Sequence, residues 1–530
     1  MDIWKHRMLS LSAAAALTLS LAACGQSTSS SPAQSTSSAQ TSGADEEQTL
    51  VLSQDQVTLN GQEVAEGDSG AVTLSHDIVY YQEGQGSEYG EGTAADEHSA
   101  EEADAHLVVT IREAGTYRVS GELTQGQLAV DLGEEAEDDP SAVVTVILDG
   151  ADVTCTVAPA FMVYHVYECG SSDEETASPT VDTSAAGINV IIADGSENTF
   201  TGSYVARIYE EGTTDKLHKY DGAFYSKMSM NISGENEGTG VLNIDGENEG
   251  LDTELHLTIN GGNINIRAQN DGINTNEDNV SVTTINGGTL QINAGLGAEG
   301  DGIDSNGYLV INGGNVYATA CEQGGDAGLD ATLDIQLNGG FVVGLGNMSD
   351  TLSTDSQQEY MVFTFASTLP AESEVVLSDT EGASVLSFTT AKAGQILLFS
   401  APNLARNVDY TLTVDGVTQQ YTGNQAGGFG GGAPGGMGGR GGAAMELPDS
   451  LESWLDSAQD VPDEIRTWLE GLLEQQNSMP APPEGEAPGR DGQEPPAGEP
   501  DQAGGGMQEP STLFTITDTV NTFSGVTDAV

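Results

Sequence analysis

The sequence predicts an all-β fold in which one coil of chain stacks on the next, a parallel β-helix, and three observations lead to it. The tripeptide Asn-Gly-Gly recurs at a constant step of 26 residues. Apolar residues flank each copy with the alternation of strands, and no helix-length apolar stretch lies between the copies. A constant step of this size is typical of solenoids, whereas four unrelated hairpin turns, the alternative, would not explain it. The copies begin at Asn260, Asn286, Asn312 and Asn338.

Each copy is predicted to be a corner between two strands. Asn tolerates the left-handed backbone conformation, and Gly adopts it without steric cost. At a strand spacing of about 4.8 Å, the four Asn amides would also hydrogen-bond to one another along the column. The apolar residues on either side would stack in two rows, Ile259, Ile285, Ile311 and Leu337 in one and Ile264, Leu290, Val316 and Val342 in the other.

The N-terminal residues 1–23 are predicted to be a signal peptide. Two basic residues precede an apolar stretch, Met8 to Ala23, that is too short for a stable membrane span. The sequence Leu21-Ala22-Ala23-Cys24 resembles a bacterial lipobox, with Cys24 as the lipid-carrying residue. Residues 24–47, rich in Ser, Thr and Gln, are predicted to be a flexible tether. We therefore expect a lipoprotein anchored to the extracellular face of the cell membrane.

Residues 48–350 are predicted to form the β-helix, with less regular strands at its beginning. Short strand patterns such as Leu107–Ile111 and Val143–Leu148 are interrupted by acidic insertions at 133–139 and 170–183. Insertions of this kind belong on the outside of a solenoid.

The remaining chain is predicted to close the solenoid and then to lose regular structure. Longer strand patterns without the 26-residue step indicate a small β cap module at 355–425. Residues 426–511 form a Gly/Pro-rich, low-complexity linker with short amphipathic helices near 447–476. Residues 512–530 are expected to be a terminal strand that returns to pair with the cap.

The chain is strongly acidic, with 82 Asp and Glu residues, 14 Lys and Arg residues and a net charge of -68. This charge excludes nucleic acid as a partner, because phosphates need a basic surface. It also disfavours binding to anionic polymers unless a cation mediates. Calcium prefers clustered oxygen ligands and is the expected mediator outside a cell. The alternative is that the acidity only keeps an extracellular protein soluble.

A second repeating feature, a variant of Asp-Gly-Ile-Asp, opens each coil. Its apolar residue is expected to point inward and its acidic residues outward, with the acids of adjacent coils above one another. Carboxylates about 5 Å apart repel unless a proton or a metal ion intervenes. Capping of tight turns through backbone hydrogen bonds is the alternative role for some of them. The predicted calcium ligands are Asp252, Asp271, Asn274, Asp301, Asp304, Asp326 and Asp330.

These features together resemble a known family. The Asp-Gly-Ile corners, the Ile-Asn-Gly-Gly turns, Val146–Gly150, Ile191–Thr199, the glycine tract and the lipoprotein start resemble bacterial carbohydrate-binding lipoproteins with a polysaccharide-lyase-like, right-handed parallel β-helix. The resemblance covers roughly Thr49 to Asn347. It implies bound calcium and binding of plant cell-wall polysaccharides such as cellulose and polygalacturonate, without established turnover. The sequence leaves the carbohydrate-binding residues unassigned.

A calcium-dependent, pectate-lyase-like enzyme and a non-catalytic envelope adhesin are the alternative functions. Pectate lyases abstract a proton beside a calcium-held carboxylate, usually with Arg or Lys. Arg267, four residues before Asp271, is the best-placed base, with a salt bridge as its alternative role. The Gly-His-Gly and Arg-Ile-Lys elements of polygalacturonases are absent from the sequence. We therefore assign no catalytic residue.

Three cysteines remain, Cys155, Cys169 and Cys321, and their spacing matches no zinc or thioredoxin pattern. Cys155 and Cys169 would be able to pair in an oxidising compartment, and buried free thiols are the alternative.

Overall fold

A computed structural model describes residues 47–82, 94–206, 208–209, 216–218, 220–350, 352–424 and 510–529. Cys24, the signal peptide and the helices predicted near 447–476 lie outside these ranges. Helix is confined to α1 (Ala100–Ala103) and two short 3-10 segments, Glu134–Asp138 and Glu174–Thr176, within the described ranges. None of these helical segments is long and apolar enough to span a membrane. The all-β prediction is therefore confirmed.

Most strands belong to three ladders of parallel strands, called A, B and C here, with strands numbered in chain order. Ladder A pairs its strands in parallel in the order β1 (Gln48–Ser53), β6 (Gly115–Leu123), β8 (Val144–Cys155), β10 (Ile188–Ile192), β15 (Met230–Gly234), β18 (His256–Ile259), β21 (Val282–Ile285), β23 (Tyr308–Ile311) and β25 (Asp334–Leu337).

Ladder B begins at the second halves of β6 and β8, which pair in parallel. It continues in parallel through β11 (Glu197–Gly202), β16 (Val241–Gly246), β19 (Asn263–Ala268), β22 (Thr289–Asn293), β24 (Asn315–Thr319) and β26 (Phe341–Gly346).

Ladder C forms a separate sheet of β4 (Val72–Ser75), β5 (Leu107–Ile111), β7 (Gly126–Asp131), β9 (Phe161–His165), β14 (Gly222–Ser226), β17 (Glu249–Thr253) and β20 (Ile273–Thr275). All its pairings are parallel except that of β4 with β5. Single parallel bridges extend it from Ile273 to Ile303 and on to Leu329. From β18 onward the chain visits ladders A, B and C in turn.

The apolar rows predicted from the sequence are confirmed. Ile259 aligns with Ile285, which aligns with Ile311 and then Leu337. Ile264 likewise begins a row through Leu290, Val316 and Val342. All eight side chains are fully buried. Because identical positions stack at each step, these rows form a continuous core between the ladders.

The Asn-Gly-Gly corners also form as predicted. The second glycine of each corner is left-handed, with φ of 99° at Gly262 and 93° at Gly288. Along the column, each Asn Nδ2 donates to the Oδ1 of the preceding Asn at 2.9 Å, 2.9 Å and 3.0 Å. The predicted amide ladder is therefore confirmed.

Antiparallel strands cover the first strand of ladder A and the last strand of ladder B. At the N-terminal end, β1 pairs with β2 (Thr58–Leu59), which pairs with β3 (Gln62–Glu63). At the other end, β26 pairs with β30 (Gly394–Ser400). A short hairpin, β12 (Ile208–Tyr209) with β13 (Lys216–His218), forms a small sheet of its own. Covered edges expose fewer unpaired backbone groups to other chains.

The C-terminal strands build a second apolar core. Its residues come from β26, β27 (Tyr360–Leu369), β28 (Glu374–Asp379), β29 (Ser384–Thr389), β30, β31 (Asp409–Val414), β34 (Phe514–Thr515) and β35 (Val520–Asp528). The strands β32 (Val417–Gln420) and β33 (Gly423–Asn424) pair with β35 beside this core. β35 runs parallel to β27 and antiparallel to β32 and β33. The final described strands therefore pair with strands of the 355–425 segment, as the sequence predicted.

Candidate functional site

The acidic side chains of the Asp-Gly-Ile repeats form two columns on ladder C. In the first column, Asp252 aligns with Asn274, and the bridges from Ile273 to Ile303 and Leu329 bring Asp304 and Asp330 into line. In the second column, two residues before the same apolar positions, the register aligns Glu249, Asp271 and Asp301. The vertical alignment predicted from equal offsets is thus present in the structure.

Glycine between the two columns is required by close packing against ladder B. A Cβ on Gly272 would lie 2.2 Å from Ile292 Cγ2 and 2.6 Å from the carbonyl oxygen of Gly302. A Cβ on Gly302 would lie 2.4 Å from the Gly328 carbonyl oxygen. Only a residue without a side chain therefore fits at Gly272 and Gly302.

The acids of the early repeats are buried, not exposed as the predicted outward orientation implies. Asp252 is 0% exposed, Asn274 3% and Asp271 9%, whereas Asp301, Asp304, Asp326 and Asp330 are half-buried. Asn274 Nδ2 donates to Glu249 Oε1 of the preceding repeat at 3.1 Å, so the columns are in contact. We call these columns, together with Asp326, the acidic cluster.

Several carboxylates of the acidic cluster also hold the backbone, which was the alternative role considered for them. Asp271 Oδ1 accepts from the Asp301 amide at 2.6 Å, and Asp301 Oδ1 accepts from the Ala327 amide at 2.5 Å. Asp252 Oδ1 instead accepts from a side chain, Asn276 Nδ2, at 2.7 Å. These bonds occupy one oxygen of each carboxylate.

Other oxygens of the acidic cluster are buried without a hydrogen bond. Within the described ranges, Asn274 Oδ1, Asp326 Oδ2 and Asp330 Oδ1 have no hydrogen-bond partner. A buried polar atom without a partner loses the free energy of its hydration. These three oxygens are therefore available to bind a ligand such as a cation.

The electrostatics of the acidic cluster favour neutralisation. Burial, followed by repulsion from Asp330, raises the pKa of Asp301 to about 8. Burial and the charge of Asp350 raise the pKa of Asp330 to about 7. Burial also raises the pKa of Asp271 well above its usual range, and the charges of Glu249, Asp301 and Asp304 raise it further. The charged neighbours that shift these pKa values are all carboxylates.

No three His, Cys, Asp or Glu side chains in the described part of the chain already converge on a single metal position. Calcium accepts Asn and main-chain carbonyl oxygens beside carboxylates, in sets of 6–8 oxygens. The fit to calcium therefore rests on Asn274 and the backbone as well as on the aspartates. The oxygen-only donor set suits a hard cation and not zinc.

Arg267, the base considered for a lyase, does not join the acidic cluster. Its Nε lies 3.8 Å from Asp245 Oδ2 across ladder B, and its side chain is 61% exposed. The structure favours the salt-bridge role weighed for this residue. Exposed pairs of this kind contribute about 0–1 kcal/mol to stability.

Two acidic residues that act on the acidic cluster, Glu249 and Asp350, were not among the ligands predicted from the sequence. Glu249 acts on Asp271, and it occupies the same offset as Asp271 and Asp301, so the repeat itself held the signal. Asp350 acts on Asp330, and its Oδ2 accepts from the Ala331 amide at 3.2 Å. Asp350 follows the last repeat, where no periodic signal marks it.

The described cysteines form no disulfide with one another. Cys155 and Cys321 are buried thiols, and Cys169 is half-buried. Burial raises the pKa of Cys155 to about 12 and that of Cys169 to about 11, so both thiols are protonated near neutral pH.

Comparisons with known proteins point to carbohydrate. A family model described as "Carbohydrate-binding domain-containing protein" matches residues 105–381, more than half of the chain. A protein of Acetivibrio thermocellus with the same description is 29% identical over 161 residues, which cover 30% of this chain and 45% of the relative. This chain therefore spans about half the length of that curated relative.

One solved structure is also similar. It is the gadolinium derivative of a polysaccharide lyase-like protein from C. thermocellum, with 20% sequence identity and a TM-score of 0.34. The match covers 58% of this chain and 92% of the solved chain.

Proposed function

This chain belongs to the family of carbohydrate-binding domain-containing proteins, and from that premise we propose that it binds acidic polysaccharide through calcium held by the acidic cluster. Polygalacturonate is the first polymer to consider, because its carboxylates complete the coordination of a cation that the protein holds only in part. Asp252, Asp271, Asn274, Asp301, Asp304, Asp326 and Asp330 are the proposed ligands.

The observation that carries the proposal is the burial of the acidic cluster. The charged groups that shift the pKa values of Asp271, Asp301 and Asp330 are all acidic. Such an arrangement is expensive unless protons or a cation neutralise it. Asn274 Oδ1 and Asp330 Oδ1, buried and without hydrogen bonds, supply oxygens of the kind that calcium prefers. Asp304 and Asp330 are half-buried at the C-terminal end of the first column, where a polymer carboxylate would approach.

We also propose that ladders A, B and C are the three faces of a right-handed parallel β-helix over residues 48–350. The repeated visit to the three ladders in turn supports this interpretation, as does the 26-residue step between stacked corners. In the same proposal, residues 355–425 form the cap module, with residues 426–511 as a linker and 512–530 as the terminal strand.

The proposed location is the extracellular face of the membrane. Residues 1–23 would be removed as a signal peptide, Cys24 would carry the lipid, and residues 24–47 would tether the folded part. The support for this location is the lipobox-like sequence that ends at Cys24.

The test is electrophoresis of the full-length protein in native gels that contain polygalacturonate. With calcium present, we expect the polymer to retard the protein, and we expect a chelator to abolish the retardation. The double substitution Asp304→Asn and Asp330→Asn should also abolish the retardation, because the two carboxylates nearest to the polymer lose their negative charge.

Asp245→Asn is the matched control, since Asp245 is an exposed carboxylate on ladder B. It should leave retardation unchanged. Retardation that persists in the chelator, or that Asp245→Asn weakens as much as the double substitution, would contradict calcium bridging.

A further inference from the structure

A groove of about 520 Å³ runs along the outer face of ladder A, away from the acidic cluster. Its floor is a column of aligned outward residues that includes Asn231, Thr258, Thr284 and Gln336. Its edge is the Asn column of the corners, from Asn260 to Asn338. We call this feature the amide groove.

The other wall of the amide groove is an insertion that is fastened to the floor. Residues 179–184 line this wall. The Thr183 hydroxyl lies 2.8 Å from Asn231 Oδ1 and 2.7 Å from Thr258 Oγ1, and the Thr183 side chain is buried. Asn231 Nδ2 donates to the Thr183 carbonyl oxygen at 2.8 Å. Because three hydrogen bonds hold the insertion, the groove is formed before any ligand arrives.

The corner amides retain hydrogen-bonding capacity that faces the groove. A primary amide has two N–H donors and an oxygen with two lone pairs. In the ladder, Asn286 and Asn312 each donate one N–H and accept one, so half of that capacity is already used. The other half recurs at every strand, at a spacing of about 4.8 Å. The ladder thus presents a regular row of donors and acceptors.

The charge of the amide groove differs from that of the rest of the molecule. The chain carries a net charge of -68, yet the floor and edge of the groove consist of amides, hydroxyls and Val310. Asp182, on the insertion, is the one charged residue among the described residues that line the groove. An anionic polymer would meet Asp182 there without a basic partner, whereas uncharged hydroxyl groups would meet matching donors and acceptors.

We propose that the amide groove binds an uncharged, unbranched polysaccharide that lies across the strands of ladder A. From Asn231 to Gln336 the floor crosses five strands, a length of roughly 20 Å at the usual strand spacing. Hydroxyl groups of an extended β-linked glycan recur at a similar spacing, so several consecutive sugars would each meet an amide. This proposal rests on the proposed carbohydrate binding, but binding at the amide groove needs no calcium.

The test is electrophoresis of the full-length protein in native gels that contain mixed-linkage β-glucan or glucomannan, each with and without a chelator. We expect retardation that the chelator leaves unchanged. Gln336→Ala should weaken the affinity roughly three- to tenfold, as loss of a neutral hydrogen bond does. Thr284→Ala should weaken the affinity by a similar factor, because it removes a hydroxyl group from the floor of the groove.

Gln291→Ala is the matched control, because Gln291 is an outward Gln in mid-strand on ladder B. It should not change retardation, and none of the three variants should alter calcium-dependent retardation by polygalacturonate. Absence of retardation in both neutral gels would overturn the proposal. Equal weakening by Gln336→Ala and Gln291→Ala would also overturn it, while failure of the polygalacturonate test alone would refute only calcium bridging.

Discussion

At the scale of single residues, burial decides how the acidic cluster behaves with pH. An unfolded Asp titrates near pH 3.9, whereas burial and neighbouring carboxylates raise the pKa of Asp301 to about 8 and that of Asp330 to about 7. Between those limits the folded protein binds more protons than the unfolded chain. The free energy of unfolding therefore falls as the pH rises through this window.

We expect the metal-free protein to have a lower thermal midpoint at pH 8 than at pH 5. Asp301→Asn should reduce this difference, because the amide keeps an oxygen for the Ala327 amide but cannot ionise. Calcium should raise the midpoint at pH 8 and have little effect at pH 5, where protons already neutralise the site. Calorimetry in a chelator and in calcium measures all three effects.

Asp245→Asn again serves as the control, since its carboxylate is 54% exposed and lies outside the acidic cluster. A midpoint that rises from pH 5 to pH 8 in the chelator would show that the acidic cluster does not bind excess protons.

Residue identity at the acidic cluster was predictable, but its burial was not. The repeat placed Asp252, Asn274, Asp304 and Asp330 in one column from offsets alone. The burial of Asp252 and Asn274 accompanies close packing at Gly250 and Gly272, where Ile266 and Ile292 of ladder B leave no room for a Cβ. That contact joins ladders B and C and has no signature in the local spacing.

At the scale of the element, the Asn-Gly-Gly corner depends on its second glycine. Gly288 has φ of 93°, and a Cβ there would lie 2.7 Å from the Gly262 carbonyl oxygen of the preceding corner. Gly261, the first glycine of a corner, has ordinary φ, and its Cβ would lie 3.5 Å from the nearest atom, Gly234 N. The first glycine is therefore tolerant only at the first corner, because a Cβ on Gly287 or Gly313 would lie 2.8 Å or 2.6 Å from an Asn carbonyl oxygen of the preceding corner.

We predict that Gly288→Ala lowers the free energy of unfolding by about 1–3 kcal/mol, from left-handed strain and the overlap. Gly261→Ala should change it by less than about 1 kcal/mol, because that position accepts a methyl group. Urea unfolding followed by circular dichroism measures both. If the two variants lost equal free energy of unfolding, left-handed backbone conformation would not be the reason for glycine at the second position of the corner.

At the scale of the whole molecule, the last described strands complete a core that begins far earlier in the chain. Phe523 of β35 is 2% exposed and stacks on Phe363 of β27 with ring centroids 5.7 Å apart. Phe514 contacts Phe523 edge-on at 5.1 Å. Asn521 Nδ2 donates to the Tyr360 carbonyl oxygen at 3.2 Å, which fixes the register of the two strands.

Phe523→Ala should lower the free energy of unfolding by about 3–5 kcal/mol, as loss of a buried aromatic ring does. Leu513→Ala, at a side chain 41% exposed in the same segment, should change it by no more than about 0.5 kcal/mol. Chemical unfolding of the full-length protein measures both variants. A mild effect of Phe523→Ala would show that this segment does not contribute to the core.

The sequence by itself determined the all-β class, the stacked corners, the amide ladder and the alignment of the acidic residues. Each of these follows from a repeated local step, because equal spacing along the chain gives equal positions in adjacent strands. Only the tertiary structure decided which acids are buried, where Thr183 fastens the wall of the amide groove, and how Lys392 donates to the carbonyl oxygens of Ala294 and Ala320 at the end of ladder B. These features join residues separated by long stretches of chain, and contacts of that kind depend on packing between faces, which no periodic pattern encodes.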